Sequence, residues 1–524
     1  MALINVSDLT FAYEGSFDNI FEKVSFSIDT DWKLGFIGRN GKGKTTFLRI
    51  LLGGLEYDGS VSTSTVFDYF PYELNDADME KCACDLFDKW KSGVESWRIL
   101  VELAELNVDA EVLYRPIKTL SFGERTKVML AVLFAGENEF LLIDEPTNHL
   151  DANSRESVKG YLNKKKGFIL VSHDRDLLDA VIDHVLVLNR ESIEVQAGNF
   201  SSWWENKEKA DAFAKAENEK HLREISKLKE AADRASRWAE KNENTKIGFN
   251  PVKEHDRFMD TRAYIGSKTK KMQSRVKSFE NRIEREIEEK EGLLNDIENV
   301  KDLKVMPLEY YKDRLIECRD FSLGYRGSAE NVINGLTFEL KQGERVFLRG
   351  ENGCGKSSII KAILMKASGF DVNGDALRLK EYGMVPKDFD NLFIEGTLNV
   401  GANLKISYIN QDTSHLKGNL KEYAKYRGLD YTLLLALLNQ LDFNKVQYSK
   451  NMEDFSEGQK KKVLIASSLL TSAHLYIWDE PLNYIDVFSR MQIEKLIETY
   501  APTMLIVEHD VRFTEKISTK IIDI

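Results

Sequence analysis

The stretch Gly38-Arg-Asn-Gly-Lys-Gly-Lys44-Thr45 decides the fold of this chain, because it fits the P-loop pattern G-x-x-x-x-G-K-[ST]. The pattern recurs as Gly350-Glu-Asn-Gly-Cys-Gly-Lys356-Ser357. In such a loop the glycines let backbone N–H groups surround a phosphate at the start of a helix. The lysine reaches the β- and γ-phosphates, and the hydroxyl of Thr45 or Ser357 is predicted to hold Mg²⁺. Two such loops predict two nucleotide sites in one chain.

Four further motifs follow each P-loop in the same order. After the first loop come Leu120-Ser121-Phe122-Gly123-Glu124, Phe140-Leu-Leu-Ile-Asp144-Glu145, Asn148-His-Leu-Asp151 and Ser172-His173-Asp174. After the second come Phe455-Ser456-Glu457-Gly458-Gln459, Leu475-Tyr-Ile-Trp-Asp479-Glu480, Asn483-Tyr-Ile-Asp486 and Glu508-His509-Asp510. The interval from Ser121 to Asp144 is 23 positions, and so is the interval from Ser456 to Asp479. Ordered repetition at constant spacing indicates an internal duplication.

Composition places the chain among globular proteins with more than one domain. Its 524 residues exceed what one hydrophobic core organises, and 42% hydrophobic with 30% charged residues is typical of a soluble protein. No apolar run approaches the ~18 residues needed to span a bilayer. The first residues, Met-Ala-Leu-Ile-Asn, lack the basic region of a signal peptide. We therefore expect a cytoplasmic protein without fused membrane domains.

The charge balance limits the choice of partner. A net charge of −12 and a pI near 5.4 argue against a protein that binds nucleic acid over its whole surface. An RNA partner would therefore need a local basic surface. The four cysteines show no zinc-ligand spacing, which favours reduced thiols in a reducing compartment.

Short β-rich runs precede both P-loops, at Lys33–Ile37 and Arg345–Leu348. The apolar runs before Asp144 and Asp479 are typical of central strands in a parallel sheet. The predicted fold class is α/β, with two nucleotide-binding domains whose sheets are mostly parallel and whose nucleotides lie at the carboxyl ends of strands. The expected division of the chain is 1–202 for the first domain, 203–305 for a linker and 306–524 for the second domain.

The linker is predicted to form two long antiparallel helices. Leu222, Ile225 and Leu228 recur at helical spacing, and Gly248 with Pro251 places the tip within residues 241–267. Each arm of ~35 residues would extend roughly 50 Å at 1.5 Å per residue. A charged coiled coil that only spaces the two domains is the alternative interpretation.

Basic and aromatic residues are concentrated at the tip and along the second arm, although the chain as a whole is acidic. Basic side chains there suit RNA phosphates, and aromatic side chains suit stacking on unpaired bases. A charge run is also typical of a solvated helix face, and some aromatic residues must hold the two helices together. The candidate RNA contacts are Phe249, Phe258, Met259, Tyr264, Lys268, Lys270, Lys271 and Arg275.

The ordered motifs resemble the ATP-binding cassette (ABC) superfamily, and the resemblance covers the chain from about Leu3 to Ile522. Two cassettes joined by a charged helical linker look like the ABC-F subfamily, whose ATPases act on ribosomes. Four shorter phrases resemble the Lsa/Vga-type ribosome-protection proteins of antibiotic resistance: Trp32-Lys-Leu-Gly, Asn107-Val-Asp, Trp478-Asp-Glu-Pro-Leu-Asn483 and Ala216-Glu-Asn-Glu-Lys220.

The resemblance implies two ATP sites, each formed by one P-loop and the signature motif of the other cassette. Glu145 and Glu480 are then expected to orient or activate the attacking water, and His173 and His509 to sense the γ-phosphate. The Mg²⁺ ligands would be Thr45, Asp144, Ser357, Gln411 and Asp479. In the first cassette the predicted ATP-binding residues are Tyr13, Gly38, Asn40, Gly41, Gly43, Lys44, Thr45, Thr46, Ser121 and Gly123. In the second they are Tyr325, Gly350, Asn352, Gly353, Gly355, Lys356, Ser357, Ser358, Gln411, Ser456 and Gly458.

Two tyrosines precede the P-loops at matched positions. Tyr13 and Tyr325 each lie 31 positions before the P-loop lysine, and both are expected to stack on adenine. The second cassette is longer between its P-loop and its signature motif, and we place the extra residues within 367–403 as a surface hairpin.

Three residues depart from the family pattern. Tyr72 stands where the family usually has glutamine, whereas Gln411 keeps the glutamine in the second cassette. Phe122 and Glu457 replace a glycine of the two signature motifs. We therefore expect two unequal ATP sites, with slower turnover where Tyr72 replaces glutamine.

The resemblance implies an ATP-gated ribosome-binding monomer whose two cassettes pair within one molecule. With ATP bound, the linker would enter through the tRNA exit site, near 23S rRNA and the P-site tRNA. It would displace drugs from the peptidyl-transferase centre, namely lincosamides, streptogramin A or pleuromutilins. The alternatives are a housekeeping factor that relieves stalled ribosomes, the ATPase pair of a drug exporter, and a DNA-acting coiled-coil ATPase.

Overall fold

The computed structural model describes residues 2–13, 19–41, 43–148, 150–188, 193–247, 277–278, 282, 307–327, 330–367, 392–443 and 445–524. The chain forms two units, one of Met1–Trp203 with Lys301–Ile524 and one of Trp204–Val300. Both P-loops lie in the first unit. The eight candidate RNA contacts from Phe249 to Arg275 lie outside the described residues, as does most of the segment 367–403.

A mostly parallel sheet forms the centre of the first cassette. The strands described there are β1 (Leu3–Phe11), β2 (Phe21–Asp29), β3 (Lys33–Gly38), β4 (Asp58–Ser62), β5 (Val66–Phe70), β6 (Glu139–Asp144), β7 (Phe168–Val171), β8 (His184–Leu188) and β9 (Ile193–Ala197). The main sheet has the order β5-β6-β7-β3-β8-β9, parallel from β5 to β8 and antiparallel between β8 and β9. A second, antiparallel sheet has the order β2-β1-β4.

The second cassette repeats this arrangement. Its described strands are β10 (Arg314–Tyr325), β11 (Ile333–Lys341), β12 (Arg345–Arg349), β13 (Leu392–Val400), β14 (Ile406–Ile409), β15 (Leu475–Asp479), β16 (Met504–Val507) and β17 (Lys520–Asp523). The parallel sheet β14-β15-β16-β12-β17 matches β5-β6-β7-β3-β8 strand for strand, and β11-β10-β13 matches β2-β1-β4. The α/β class predicted from the duplicated motifs is confirmed.

Helices cover the faces of both parallel sheets. In the first cassette they are α1 (Lys44–Leu51), α2 (Phe87–Trp90), α3 (Ser96–Glu105), α4 (Phe122–Phe134), α5 (Ala152–Lys164), α6 (Arg175–Val181) and the start of α7 (Phe200–Ile247). In the second they are α8 (Lys356–Ala367), α9 (Leu420–Tyr426), α10 (Tyr431–Gln440), α11 (Glu457–Leu470), α12 (Val487–Tyr500) and α13 (Val511–Ile517). An aspartate caps α5 and another caps α12. Asp151 accepts a hydrogen bond from the backbone N–H of Ser154, and Asp486 accepts one from that of Ser489.

Strands with apolar residues on both faces place the core at the centre of each cassette. All four residues of β7 and all five of β15 are buried. Trp478 of β15 is fully buried, and its indole Nε1 donates to the hydroxyl of Ser468 at 2.9 Å. Burial on both faces is what a parallel sheet covered by helices requires.

Helix α7 has 48 residues and therefore extends about 70 Å at 1.5 Å per residue. It begins at Phe200 and continues past Lys241, so the first arm is longer than the ~35 residues expected from the sequence pattern. Near its start, Trp203 is buried and packs against Phe488 of the second cassette, with ring centroids 6.1 Å apart. Within the described ranges, each helix is too short or too polar to cross a membrane.

The second cassette has a longer interval than the first between its P-loop helix and the strand that matches β4. In the first cassette, residues 52–57 connect α1 to β4. In the second cassette β13, which matches β4, begins at Leu392, 25 positions after α8 ends at Ala367. The insertion therefore follows the P-loop helix.

Candidate ATP sites

Both P-loops connect a buried strand to a helix through glycines with positive φ. Gly43 and Gly355, which precede α1 and α8, have φ of 107° and 101°. L-residues rarely adopt this region, so glycine is required there. A Cβ on Gly43 would also lie 2.4 Å from a methyl group of Ile20. The loops thus bring backbone N–H groups to the start of each helix, where phosphate binding is favoured.

Each P-loop lysine is buried and folded over its own loop. Lys44 Nζ donates to the carbonyl oxygens of Gly38 and Arg39 at 2.6 and 3.2 Å. Lys356 Nζ donates to those of Gly350 and Glu351 at 2.8 and 2.7 Å. Burial lowers the pKa of Lys44, although the carboxylates of Asp486, Glu145 and Asp144 raise it. These ammonium groups lie where the β- and γ-phosphates would bind.

Oxygen atoms suited to Mg²⁺ lie beside both P-loops. Thr45 Oγ1 donates to Asp144 Oδ2 at 3.2 Å, and Ser357 forms the matching bond to Asp479. Burial raises the pKa of Asp479 to about 6, and its Oδ1 atom is buried without a hydrogen-bond partner among the described residues. One carboxylate and one hydroxyl, completed by phosphate oxygens, fit Mg²⁺. When bound, Mg²⁺ would neutralise charge on the phosphates.

The two glutamates that follow β6 and β15 have strained backbones. Glu145 and Glu480 have φ of 52° and 47°, and such outliers are concentrated at functional sites. His173 Nε2 lies 3.3 Å from Glu145 Oε1, and His509 Nε2 lies 3.9 Å from Glu480 Oε1. Each predicted glutamate and histidine pair is therefore brought together at the end of neighbouring strands.

Burial shifts the ionisation of these pairs. Burial and the charge of Asp144 raise the pKa of Glu145 to about 8. Burial, together with the nearby charge of Arg155, lowers the pKa of His509 to about 4. Burial and Lys44 lower the pKa of His173 well below its usual value. Both imidazoles are therefore neutral at pH 7, so each has one nitrogen that donates and one that accepts.

The second signature motif lies against the first P-loop. Asn40 Nδ2 donates to the carbonyl oxygen of Tyr484 at 2.8 Å, across the two cassettes. A Cβ on Gly458 would lie 2.6 Å from that same oxygen and 3.5 Å from Asn40 Nδ2. Ser456 caps α11, with its hydroxyl accepting from the N–H of Gln459. The first site is thus formed by both cassettes.

A cavity of about 400 Å³ lies over the second P-loop. The first cassette contributes Phe122 and Arg155 to its wall, and Arg155 Nη1 donates to the carbonyl oxygen of His509 at 3.4 Å. The second cassette contributes Tyr325, Val332, Asn352, Gly353, Gly355, Lys356, Ser357, Ser358, Gln411, Glu480, Asn483 and His509. Two predicted ATP-binding residues, Ser121 and Gly123, do not line this cavity. The hydroxyl of Ser121 caps α4, and the Cα of Gly123 lies against Ser154. The cassettes therefore pair head to tail.

The two tyrosines expected to stack on adenine are held in the same way. Tyr13 shares a hydrogen bond of 2.9 Å with the hydroxyl of Thr46, and Tyr325 shares one of 2.6 Å with Ser358. Both rings remain partly exposed, at 45% and 37%. Stacking on adenine stays a prediction, and these positions are compatible with it.

The two sites differ at the glutamine position. Gln411 Nε2 donates to Glu480 Oε2 at 2.7 Å, and Asn483 Nδ2 donates to the same oxygen at 2.8 Å. Tyr72 instead donates to Asp68 at 2.9 Å and stacks on Trp90 at 5.5 Å. Tyr72 is therefore turned away from Glu145.

The substituted signature residues also behave differently. Phe122 lines the second cavity and is 59% exposed, with Arg125 lying 5.4 Å from its ring centroid. Glu457 is held by its own cassette, where it accepts from Thr413 at 2.6 Å and from Lys460 at 3.1 Å. The apolar ring of Phe122 thus faces the second ATP site. The carboxylate of Glu457, beside the first ATP site, is already paired.

Sequence reasoning missed Arg155 and Tyr69. Arg155 comes four positions after Asp151, and Arg490 comes four after Asp486, so the duplication carried a signal for it. Tyr69 Oη donates to Asp144 Oδ2 at 3.2 Å, and here too the duplication carried a signal, since Tyr69 and Tyr408 lie three positions before Tyr72 and Gln411. Burial raises the pKa of Tyr69, which keeps this hydroxyl protonated as a donor.

Comparison with known proteins agrees with this geometry. The family model described as ABC transporter matches residues 21–148 and 333–483. The ribosome protection protein VmlR of Bacillus subtilis is 25% identical over 526 residues, covering 98% of this chain and 85% of VmlR. The energy-dependent translational throttle protein EttA of Escherichia coli is 24% identical over 564 residues, covering 96% and 89% of the two chains.

Further similarities extend along the whole chain. ATP-binding protein Uup of Buchnera aphidicola is 26% identical over 551 residues, covering 99% of this chain and 80% of Uup. A crystal structure of archaeal ribosomal stalk protein aP1 in complex with archaeal ribosome recycling factor aABCE1 aligns with a TM-score of 0.59. That alignment has 19% identity and covers 98% of this chain and 87% of the other, and it shows the fold alone.

The ranges that match the family model make up more than half of the chain, and they contain both P-loops and both aspartates predicted to bind Mg²⁺. The protein is an ATPase with two cassettes in one chain. It therefore belongs to the ABC transporter family, and its resemblance to the ABC-F subfamily is confirmed.

Proposed function

We propose that this ATPase binds the ribosome when it holds ATP and protects the ribosome from drugs of the peptidyl-transferase centre. One observation carries the proposal: each nucleotide site is shared between the cassettes, and the first cassette continues directly into the 48-residue helix α7. A relative of nearly the same extent is named a ribosome protection protein. The drugs we propose are lincosamides, streptogramin A and pleuromutilins.

ATP would act by shifting a population of cassette arrangements. Phosphate held between a P-loop and the opposite signature motif favours the closed pair, and hydrolysis removes that contribution. In the second site Glu480, held by Gln411 and Asn483, would orient the attacking water. The closed form would bind the ribosome, and hydrolysis would release it.

The linker is the proposed contact with the ribosome. We propose that it approaches 23S rRNA and the P-site tRNA near the exit site. Its basic residues would contact phosphates and its aromatic residues would stack on bases. The candidate contacts are those named from the sequence, between Phe249 and Arg275.

A housekeeping translation factor is the second candidate function. It is favoured by EttA, a relative named a translational throttle protein whose match covers 96% of this chain, compared with 98% for the protection protein. Both functions use the same ATP sites and the same linker, so they differ in whether the drug is needed for the effect on growth.

Ribosome co-sedimentation tests the shared part of both proposals. The Glu145→Gln/Glu480→Gln variant should remain on ribosomes with ATP in moderate salt and dissociate without ATP. The matched control is Lys44→Ala/Lys356→Ala, which should not be retained under either condition because it lacks the phosphate-binding lysines. Absence of ATP-dependent retention by a folded, ATP-binding variant would overturn the ribosome proposal. That outcome would favour a membrane or DNA partner instead.

Drug sensitivity then separates the two functions. Expression of the wild-type chain should raise the inhibitory concentration of a lincosamide, streptogramin A or pleuromutilin, and Glu145→Gln/Glu480→Gln should not. Rescue of growth without drug, together with unchanged drug sensitivity, would favour the housekeeping function instead.

A further inference from the structure

The two cassettes carry a tyrosine at the same position of their parallel sheets. Tyr69 of β5 lies opposite Leu142, and Tyr408 of β14 lies opposite Ile477. Each partner comes two positions before the aspartate of its Mg²⁺ site. The duplication therefore supplies two tyrosines in equivalent surroundings, and any difference between them belongs to the individual site.

The hydroxyl groups of these tyrosines have different partners. Tyr69 Oη donates to Asp144 Oδ2 at 3.2 Å, the same oxygen that accepts from Thr45. Tyr408 Oη donates to Asn410 Oδ1 at 3.4 Å. The first site thus has a hydroxyl group on its carboxylate that the matching tyrosine of the second site directs elsewhere.

The residue at the glutamine position of the first cassette is fixed away from the site. Tyr72 donates to Asp68, and the ammonium group of Lys91 contacts the same carboxylate oxygen at 2.8 Å. Lys91 is itself buried, pairs with Glu139 and donates to the carbonyl oxygen of Leu133 at 2.6 Å. Turning Tyr72 toward Asp144 would therefore break a buried hydrogen-bond network, which is costly.

We propose that Tyr69 is a positioning residue of the first ATP site, whose hydroxyl orients the Asp144 carboxylate for Mg²⁺. Its ring is half-buried and packs against the core of the first cassette, so the hydroxyl is held in place. Hydrogen-bond partners of a metal-binding carboxylate orient it and strengthen metal binding. The second site instead has Gln411, whose Nε2 donates to Glu480. The inference depends on the ATPase sites alone and is independent of the ribosome.

Substitution of Tyr69 by phenylalanine tests this role, because it keeps the ring and removes the hydroxyl. The full chain carries Lys356→Ala, so that binding of a non-hydrolysable ATP analogue reports the first site. Affinity is measured with Mg²⁺ and with EDTA. We expect Tyr69→Phe to weaken binding about 10-fold in Mg²⁺, as for other such hydrogen-bond partners, and to leave binding in EDTA unchanged.

The matched control is Tyr408→Phe in the same Lys356→Ala background. It removes the equivalent hydroxyl from the second sheet, and we expect no change in either condition. Equal weakening of Tyr69→Phe in Mg²⁺ and EDTA would indicate a structural role and overturn the proposal. Unchanged or tighter binding in Mg²⁺ would overturn it as well.

Discussion

At the scale of single residues, the two candidate catalytic glutamates have different surroundings. Glu480 accepts from Gln411 and Asn483 on one oxygen, which leaves the carboxylate oriented into the cavity over the second P-loop. Glu145 lies beside His173, and burial with the neighbouring Asp144 raises its pKa to about 8. The difference supports two ATP sites with unequal turnover.

Single substitutions should separate the two sites. Glu480→Gln removes the carboxylate that would orient water in the second site, and we expect ATP turnover at that site to be about 100-fold slower. Steady-state ATPase activity of the chain should therefore fall to the small remainder from the first site. Glu145→Gln should leave roughly half of the activity or more, because the second site still carries its full base.

The measurement is phosphate release at saturating ATP for both variants and the wild-type chain. Lys341→Gln is a suitable control, because that lysine pairs with Glu339 of its own strand β11 at 3.0 Å and does not line the cavity. Equal losses in Glu145→Gln and Glu480→Gln would contradict the asymmetry.

At the scale of elements, the start of α7 is attached to both cassettes. Ser201 accepts a hydrogen bond of 3.1 Å from Arg512, and its N–H donates to Asp179 at 2.7 Å. Trp203 packs on Phe200 of its own helix and on Phe488 of α12. The first turn of α7 therefore belongs to the packed unit that contains both P-loops.

The stability lost when the Trp203 side chain is removed should show how much this attachment contributes. Trp203 is only 6% exposed, and we expect Trp203→Ala to destabilise the chain by about 3 kcal/mol, because it leaves a cavity between α7 and α12. Urea unfolding followed by circular dichroism is the measurement. Trp97→Ala is the matched control, since Trp97 is 58% exposed and should shift stability by less than about 0.5 kcal/mol. Equal midpoints for both variants would refute the attachment.

At the scale of the whole molecule, charged pairs connect the two cassettes in addition to the shared nucleotide contacts. Arg175 of α6 forms a bidentate pair with Glu494 of α12, and Glu494 is fully buried. Arg39 of the first P-loop pairs with Asp442 at 2.7 Å. These contacts hold the cassettes side by side, so ATP acts on a pair that is already joined.

Breaking the buried pair from one side should be more damaging than replacing both partners. Arg175→Met leaves Glu494 paired with Lys516 at 3.4 Å. We therefore expect the free energy of unfolding to fall by about 3 kcal/mol, the low end for removing one partner of a buried ion pair. Arg175→Met/Glu494→Leu should recover at least part of that loss, because no buried carboxylate remains unpaired.

Urea unfolding of the full chain measures both effects. Arg98→Met is the control, because Arg98 pairs with Glu137 at the surface, where an ion pair contributes little, and it should leave the urea midpoint essentially unchanged. A double variant no more stable than Arg175→Met would contradict the expectation.

The sequence by itself determined the fold class, the two P-loops and the order of the motifs that follow them. These features are readable because they depend on local spacing: a glycine loop before a helix, or an acidic pair after an apolar strand. The equivalence of β5-β6-β7-β3-β8 and β14-β15-β16-β12-β17 follows from the same duplication.

Only the tertiary structure decided which side chains complete each site. Tyr69 and Asp144 are 75 positions apart, and Arg175 and Glu494 are 319 apart, so no local pattern connects them. The direction of Tyr72 was equally unreadable, because it depends on a buried network with Asp68 and Lys91. Side-chain orientation is set by packing between distant segments, whereas the motifs are set by neighbours along the chain.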